Sequence, residues 1–404
     1  MTTAWVVIDL GFGDSGKGTI TDWLVRTGGA KLVVRWNGGA QAGHNVVTAD
    51  GRHHTFSQFG AGSFVPGVRT HLSEEMVVHP TALLVEENVL RSKGVEPELT
   101  IAESARIITP WHQAAGRIRE LALGHGTCGV GVGEAVRDAL DHPDDVLRAR
   151  DLLGDARAKL RRIRERLRPP EGDDPRAVAE RRVLEDPDLE RRWADAVAPV
   201  RTRIVPDEIR LDGPVVLEGA HGVLLDEWRG FHPHTTWHSC TSGAATSWLS
   251  RHGLDGEVKR LGVLRTYLTR HGAGPFPTET KELTFAEHHN DSSGYQGPFR
   301  LGWPDVALAK YALAVSDVDG LALTHCDRNV EFAALRYEGV TIEPGPPRDL
   351  AHQVRLTRTL FNAKPVLERI YDDVAFFEGV LGRKVWVTSH GPTAADKRSN
   401  SRTP

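Results

Sequence analysis

The tightest constraint on this chain lies at its amino end. Val6-Val7-Ile8-Asp9-Leu10 is an apolar, largely β-branched run that stops at Gly11, and residues 19–25 then carry helical spacing. Leu32-Val33-Val34-Arg35-Trp36 follows as a second run of strand character. Strand, glycine loop, helix and strand in that order predict a βαβ unit, whose parallel strands need a crossover helix and are buried on both faces. Similar runs recur at Met76-Val77-Val78, Val215-Val216-Leu217, Leu261-Gly262-Val263-Leu264, Gly320-Leu321-Ala322-Leu323 and Val385-Trp386-Val387. Several end in Gly-rich or polar loops. The expectation is an α/β fold with a central, mostly parallel sheet, a P-loop-like nucleotide-binding core and ligands at the strand ends.

The first loop, Gly11-Phe12-Gly13-Asp14-Ser15-Gly16-Lys17-Gly18, satisfies the opening of a phosphate-loop pattern between a strand and a helix. Glycines let backbone N–H groups approach phosphate oxygens, the helix N-terminus favours negative charge, and Lys17 adds a cation. Gly18 stands where the standard motif places the Ser or Thr that holds magnesium, so the standard motif is excluded. Asp14 supplies a carboxylate that could hold the metal or act as a base, which a purely structural turn would not require. A second loop, Asn37-Gly38-Gly39-Ala40-Gln41-Ala42-Gly43-His44-Asn45, leaves the second strand and can meet the first across neighbouring strand ends. His44 there can donate to an oxygen gaining phosphate or transfer a proton near neutral pH.

Composition narrows the classes. Of 404 residues 40% are apolar, enough for a large core, and 50 Lys plus Arg against 54 Asp plus Glu leave a formal charge of -4. That balance gives no global attraction to nucleic acid or an anionic membrane. The amino-terminal residues run straight into a strand with no signal-like stretch, and no window approaches a membrane span, so a cytoplasmic protein is expected. Cys128, Cys240 and Cys326 lie far apart, as neither a disulfide framework nor a thiolate metal site would have them. The nineteen histidines show no zinc-ligand spacing. Residues 151–203 turn dense in Arg, Glu, Asp and Ala, broken by Pro169-Pro170-Glu171-Gly172-Asp173-Asp174-Pro175. Interleaved acids and absent stacking aromatics make this a helical excursion with solvated faces within a single unit spanning 1–404, and not a nucleic-acid arm. The tail from Asp396 is expected to fray.

Gly13-Asp14-Ser15-Gly16-Lys17-Gly18 resembles the Gly-Asp-Glu-Gly-Lys-Gly signature of the adenylosuccinate synthetase family, and residues 38–44 resemble its Gly-Gly-x-Asn-Ala-Gly-His segment. Glu218-Gly219-Ala220-His221-Gly222-Val223-Leu224-Leu225-Asp226, residues 269–279, Gly302-Trp303-Pro304-Asp305, Thr324-His325-Cys326-Asp327 and Ser389-His390-Gly391-Pro392 are similar to further family stretches, in the family's order. The resemblance implies GTP as co-substrate, Mg2+, and a two-step reaction: phosphorylation of a purine 6-oxygen, then displacement of phosphate by an amine. It implies Asp14 as base and magnesium ligand, His44 as acid, and Gly43 completing the metal site. Gly13 to Gly18 would hold phosphates, with Asp327, Ser389 and Gly391 at the guanine. Gln41, Cys128, His221, Thr236 and Arg300 fall at substrate positions. A homodimer is implied as well.

Departures from the family pattern gather on the substrate side. Ser15 replaces the signature glutamate and Gln41 an asparagine. In Gly126-Thr127-Cys128-Gly129-Val130-Gly131, similar to Gly-Thr-Thr-Gly-Arg-Gly, Cys128 takes the place of a phosphate-binding threonine. Ala139-Leu140-Asp141-His142-Pro143 lacks the arginine that the family sends into its neighbour's nucleotide site, and His221 replaces a glutamine. His325 replaces a lysine. Arg300 alone remains of an Arg-rich loop that reads aspartate. The readings are therefore a ligase acting on inosine monophosphate and L-aspartate, a specialised homologue with another acceptor or amine, a GTP-dependent phosphotransferase, or a silent GTP-binding homologue.

Overall fold

The computed structural model describes residues 2–124, 126–287 and 295–400. A ten-stranded sheet runs through it, in the order Lys397–Ser399, Val385–Ser389, Gly320–Thr324, Gly256–Arg265, Thr2–Asp9, Val215–Glu218, Leu32–Arg35, Arg69–Leu72, Glu98–Ala102 and Ile204–Val205. Every neighbouring pair is parallel except the outermost, where Lys397–Ser399 runs antiparallel to Val385–Ser389. The expected α/β class and mostly parallel sheet are what the chain forms.

Alternation along the first strand shows why it is central. Ala4, Val6 and Ile8 enter one buried cluster with Trp248, Tyr311 and Leu321, while Val7 enters another with Ile20, Leu24 and Val25 of the helix Lys17–Gly28. Both faces are covered, as parallel strands require. The chain first builds outward on one side of this strand, returns to insert Val215–Glu218 beside it, and then builds on the other side. The direction of winding thus changes at Thr2–Asp9, and the loops leaving its carboxyl end and those of its neighbours open onto one crevice.

Residues 151–203 are helical, with α-helices at Arg157–Arg166, Pro175–Glu185 and Leu189–Ala196. Their charged faces hide an apolar stripe: Leu160, Ile163, Trp193, Val197 and Val200 are buried in the same cluster as Phe56, Leu83 and Trp111. Two expectations need correction. Val77–Val78 does not join the main sheet but pairs with Arg106–Ile107, because its backbone is engaged by Gly38 and Gly39 of the second loop. The tail does not fray as far as residue 400: Lys397 Nζ donates to the carbonyls of Gly391 and Thr393, both at 2.8 Å, and Lys397–Ser399 completes the sheet. Residues 401–404 lie outside the described residues.

Trp193 is the largest side chain the charged region contributes to the core. Trp193→Ala should therefore cost about 3–5 kcal/mol in urea unfolding; a loss well under 1 kcal/mol would mean that the region is not part of that packing.

Candidate functional site

The first loop is organised from beneath by Asp9, the last residue of its strand. Asp9 Oδ1 accepts from the N–H of Gly11 at 2.8 Å and Gly13 at 3.4 Å; Oδ2 accepts from the N–H of Ser15 at 2.9 Å and from Lys17 Nζ at 3.1 Å. Both Asp9 and Lys17 are buried, so the pair exists only as a fully hydrogen-bonded unit. Around it Gly13, Asp14 and Gly16 take left-handed backbone conformations, with φ of 101°, 59° and 91°. Gly16 caps the helix Lys17–Gly28 without a side-chain bond, leaving the first-turn N–H groups to a ligand. Gly18 also has a steric reason: a Cβ there would lie 2.8 Å from His44 Cβ and 3.0 Å from the Asn45 carbonyl. The missing Ser or Thr is what lets the helix press against the strand His44–Val47.

That contact brings the second loop to the first. His44 Nδ1 lies 2.7 Å from Glu218 Oε1, and Glu218 Oε2 accepts from the Ala61 N–H at 3.0 Å. Because a carboxylate can only accept, the hydrogen on the His44 ring sits at Nδ1, leaving Nε2 for chemistry. Burial pushes the imidazole down to about 4, opposed chiefly by Glu218. It is neutral at pH 7 until an anion arrives beside it. Arg35, wholly buried, donates to the carbonyls of Ala42 at 3.1 Å and Phe59 at 3.3 Å, and so fixes the turn that carries Gln41 and Gly43. Gln41 keeps a buried amide oxygen without a partner.

Asp14 differs from Asp9 in facing the crevice, with 35% of its side chain exposed and its Oδ2 3.6 Å from His271 Nε2. The crevice is deep enough that desolvation holds its carboxyl above the usual range, against the pull of His271, then Arg265, then Lys17. A carboxylate with a raised affinity for protons is suited to a base.

His221, at φ 56°, places Nδ1 3.0 Å from His238 Nε2, and burial keeps both rings far below the usual histidine range, His238 at about 3. Thr236 Oγ1 lies 3.3 Å from the other nitrogen of His238. Asn37 ties this segment to the second loop, accepting from the Ala220 N–H and donating to the Ser239 carbonyl, both at 2.7 Å. Cys128 is a neutral thiol, pushed up to about 11 by burial. Arg300 is engaged by Glu279 at 2.9 Å and the Gly274 carbonyl at 3.0 Å, though its buried Nε has no partner. Ser292 to Gly294, in the segment expected to read the amine, lie outside the described residues.

On the other side, Thr19 Oγ1 donates to the Pro392 carbonyl at 2.8 Å, linking the phosphate-loop helix to the segment of Ser389 and Gly391. The Cys326 N–H donates to the Ser389 carbonyl at 2.9 Å, which sets Asp327 beside it; Asp327 is partly exposed, 3.3 Å from Arg328 Nε. Asp14, His44 and His221 thus all lie within electrostatic reach of Lys17, and Asp327 lies within reach of Lys397, which holds the Gly391 carbonyl. Sequence reasoning missed His238 and Lys397, and quoted Asp9, Glu218 and His271 without a role. A carboxylate closing a strand just before a glycine loop was the available signal for Asp9. Among the described residues no group of three or more His, Cys, Asp and Glu forms a metal cluster.

Residues 6–340 match the family model described as adenylosuccinate synthetase. The adenylosuccinate synthetase of Anaeromyxobacter dehalogenans is 32% identical over 339 residues, covering 80% of this chain and 76% of that protein. That of Nitrosospira multiformis is 34% identical over 338 residues, with the same two shares. Among solved structures, fully ligated adenylosuccinate synthetase from Plasmodium falciparum superposes with a TM-score of 0.76 over 99% of this chain and all of that one, at 21% identity. Cyanophage S-2L succinoaminodeoxyadenylate synthetase, bound to dGMP and dATP as an energy donor, gives 0.60 over 99% and 95%, at 17% identity. At those identities the two structures speak for the fold.

The geometry makes two variants informative. Glu218→Gln keeps the volume but removes the charge that favours imidazolium, so turnover should fall about 100-fold and the residual optimum should move to lower pH; unchanged turnover would remove Glu218 from the mechanism. Gly18→Ser, which restores the residue of the standard motif, should lower stability by about 1–3 kcal/mol in thermal unfolding through its clash with His44, and a neutral result would contradict the close packing.

Proposed function

Since this chain belongs to the adenylosuccinate synthetase family, GTP-dependent ligases that form carbon–nitrogen bonds, we propose that it phosphorylates the 6-oxygen of a purine-like lactam and joins L-aspartate or a related amine there. The observation that carries this reading is that the loop of Asp14 packs through Gly18 against the Glu218-held His44, with Lys17 within electrostatic reach of both Asp14 and His44. Asp14 takes the ring N–H proton, and the electron pair moves to the lactam oxygen. That oxygen forms a bond to the γ-phosphorus while the bond from phosphorus to the bridging oxygen breaks, and GDP leaves with the pair. A proton on His44 Nε2 stabilises the oxygen that is becoming a leaving group. The amine then bonds to the ring carbon, the carbon–oxygen bond breaks, and phosphate departs with the pair and the amine's surplus proton.

The first-turn N–H groups after Gly16 and the Lys17 ammonium hold the transferred phosphate, and Ser15 and Gly13 shape the turn. Asp327 accepts from the guanine edge, with Ser389 and Gly391 beneath the base. Gln41, Cys128, His221 and Thr236 face the acceptor, and Arg300 the carboxylate of the amine. The Asp14 carboxylate and the Gly43 carbonyl fit Mg2+, an oxygen-seeking ion that takes its remaining ligands from phosphate and water. Bound there, it would supply neutralisation of phosphate charge. No helix among the described residues is long and apolar enough to cross a membrane; we place the enzyme in the cytoplasm, as a homodimer.

GTP turnover with inosine monophosphate and aspartate, each omitted in turn and with product masses recorded, tests the reading. Dependence on both an acceptor and an amine is expected. Turnover that ignores the amine would mean a phosphotransferase, and none with any purine acceptor a silent homologue. Asp14→Ala should lower turnover by about 1,000-fold while GTP still binds; surviving activity would sink the assignment of the base.

A further inference from the structure

Two polar side chains near the His221–His238 pair are left without partners, and they lie on the same side of it. Gln41 has a buried amide oxygen that no donor holds. A Cβ placed on Gly39 would lie 2.8 Å from that oxygen, from Val132 Cγ2 and from the Val77 carbonyl, so Gln41 reaches the start of the helix Val132–Asp141. The other is Arg106, half-buried, whose guanidinium has no hydrogen bond or ion pair among the described residues.

Strand register brings Arg106 to the same place. Arg106–Ile107 pairs in parallel with Val77–Val78, and paired side chains share a face while successive ones alternate. Val78 and Ile107 enter the cluster of Phe56 and Leu83, whereas Val77 and Ile108 enter that of Val132, Ala135 and Val136. Arg106, opposite Val77 and two residues before Ile108, therefore stands on the face that the helix Val132–Asp141 covers. Val77 also bridges to Gly39, and a Cβ on the preceding Gly38 would lie 3.5 Å from His238 Nε2. Trp237 closes on the same helix start, its Nε1 3.2 Å from where a Gly133 Cβ would be. The charge of Arg106 is felt there: after burial it is what holds the His238 ring down, as Lys17 and Arg35 act on His221. It also acts on the half-buried Glu227, whose carboxyl burial and Asp226 hold above the usual range.

The backbone around these side chains is divided in its duties. In the glycine loop 126–131 the N–H groups of Gly126 and Thr127 are held by Glu120, at 2.7 and 3.0 Å. Gly131, by contrast, caps the helix without a side-chain bond, which leaves first-turn N–H groups beside Gln41. Glu134 in that turn is engaged by Arg119, at 2.8 Å, and by Arg137.

We infer that Arg106 is the cation that reads an anionic group of the acceptor, a phosphate monoester, with the Gln41 amide and the start of the helix Val132–Asp141 beside it. The guanidinium comes from the same chain, whereas residues 139–143 of a partner would bring none. This rests on the lactam-phosphorylating reading and leaves its bond changes as they stand. A planar fork of N–H donors matches two phosphate oxygens at once, and the helix start favours the same charge. Gln41, whose oxygen no donor holds, can turn its NH2 group to the anion.

The test is the ratio of kcat/KM for inosine 5′-monophosphate to that for inosine, each with GTP and aspartate. In the wild-type enzyme the ratio should be about 100 or more. A ratio of one or less overturns the inference and leaves the ligase reading intact; turnover with neither acceptor overturns the ligase reading and the inference with it. Arg106→Gln should lower the ratio about 100-fold, because only the charged acceptor loses its partner. Arg106→Lys, which keeps a point charge but not the fork, should lower it about tenfold and carries the test if the glutamine variant does not fold. Equal losses with both acceptors, or an unchanged ratio in either folded variant, would show that Arg106 does not read the acceptor.

Discussion

The crevice depends on a single buried carboxylate. Asp9 closes the central strand with no exposure of its side chain and would be strongly disfavoured alone in that position. It persists because three loop N–H groups and one ammonium converge on it. The same bonds force the chain to turn back on itself, and the left-handed conformations at Gly13, Asp14 and Gly16 follow. Asp14 is thereby pushed out toward His271 while Ser15 turns in. The difference between a carboxylate locked inside the turn and one turned outward, five residues apart, is a difference in what surrounds each.

Everything else at the site is hung from this turn by close contacts. Gly18 admits His44, and His44 reaches Glu218 at the end of the neighbouring strand, in register with Val7. Thr324 Oγ1 donates to the Ser15 carbonyl at 2.7 Å, and Thr19 reaches Pro392, so the segments that carry Asp327 and Ser389 are fastened to the same loop and helix. A shift in the turn would move Asp14, His44 and the Ser389–Pro392 segment together. That is the usual advantage of placing a site where a parallel sheet reverses its winding.

The opening unit was readable because each of its cues is local: a β-branched run, glycines, a helical spacing, a second run. Asp14, Lys17 and His44 stood out as candidates because charged and imidazole side chains are conspicuous among glycines, although Lys17 proves also to have a structural partner in Asp9. Asp9 and Lys397 did not, since a charge within or beside a strand reveals its partners only after the chain has returned to them. The charged stretch 151–203 concealed its core for a similar reason: Leu160, Ile163 and Trp193 are sparse among arginines, and only the arrangement of the helices shows that they lie on one buried side. The strand at Lys397–Ser399 is short, polar and next to the end, and it forms because an ammonium meets two carbonyls that no sequence window contains.

Two glycine loops meet in this crevice, and each is held from within by a carboxylate. They differ in the cation. Under the first, Lys17 lies on Asp9, so the internal pair is neutral and the outer N–H groups at the helix start retain their pull on phosphate. Under the second, Glu120 bonds to N–H groups alone, and the guanidiniums around it are held by Glu180 and Glu134. The same backbone device thus leaves the helix-start N–H groups turned outward at one end and ties two loop N–H groups to a carboxylate at the other. A glycine pattern announces that a backbone can approach a ligand; the sign of the ligand's charge is set by which side chains stand behind the loop.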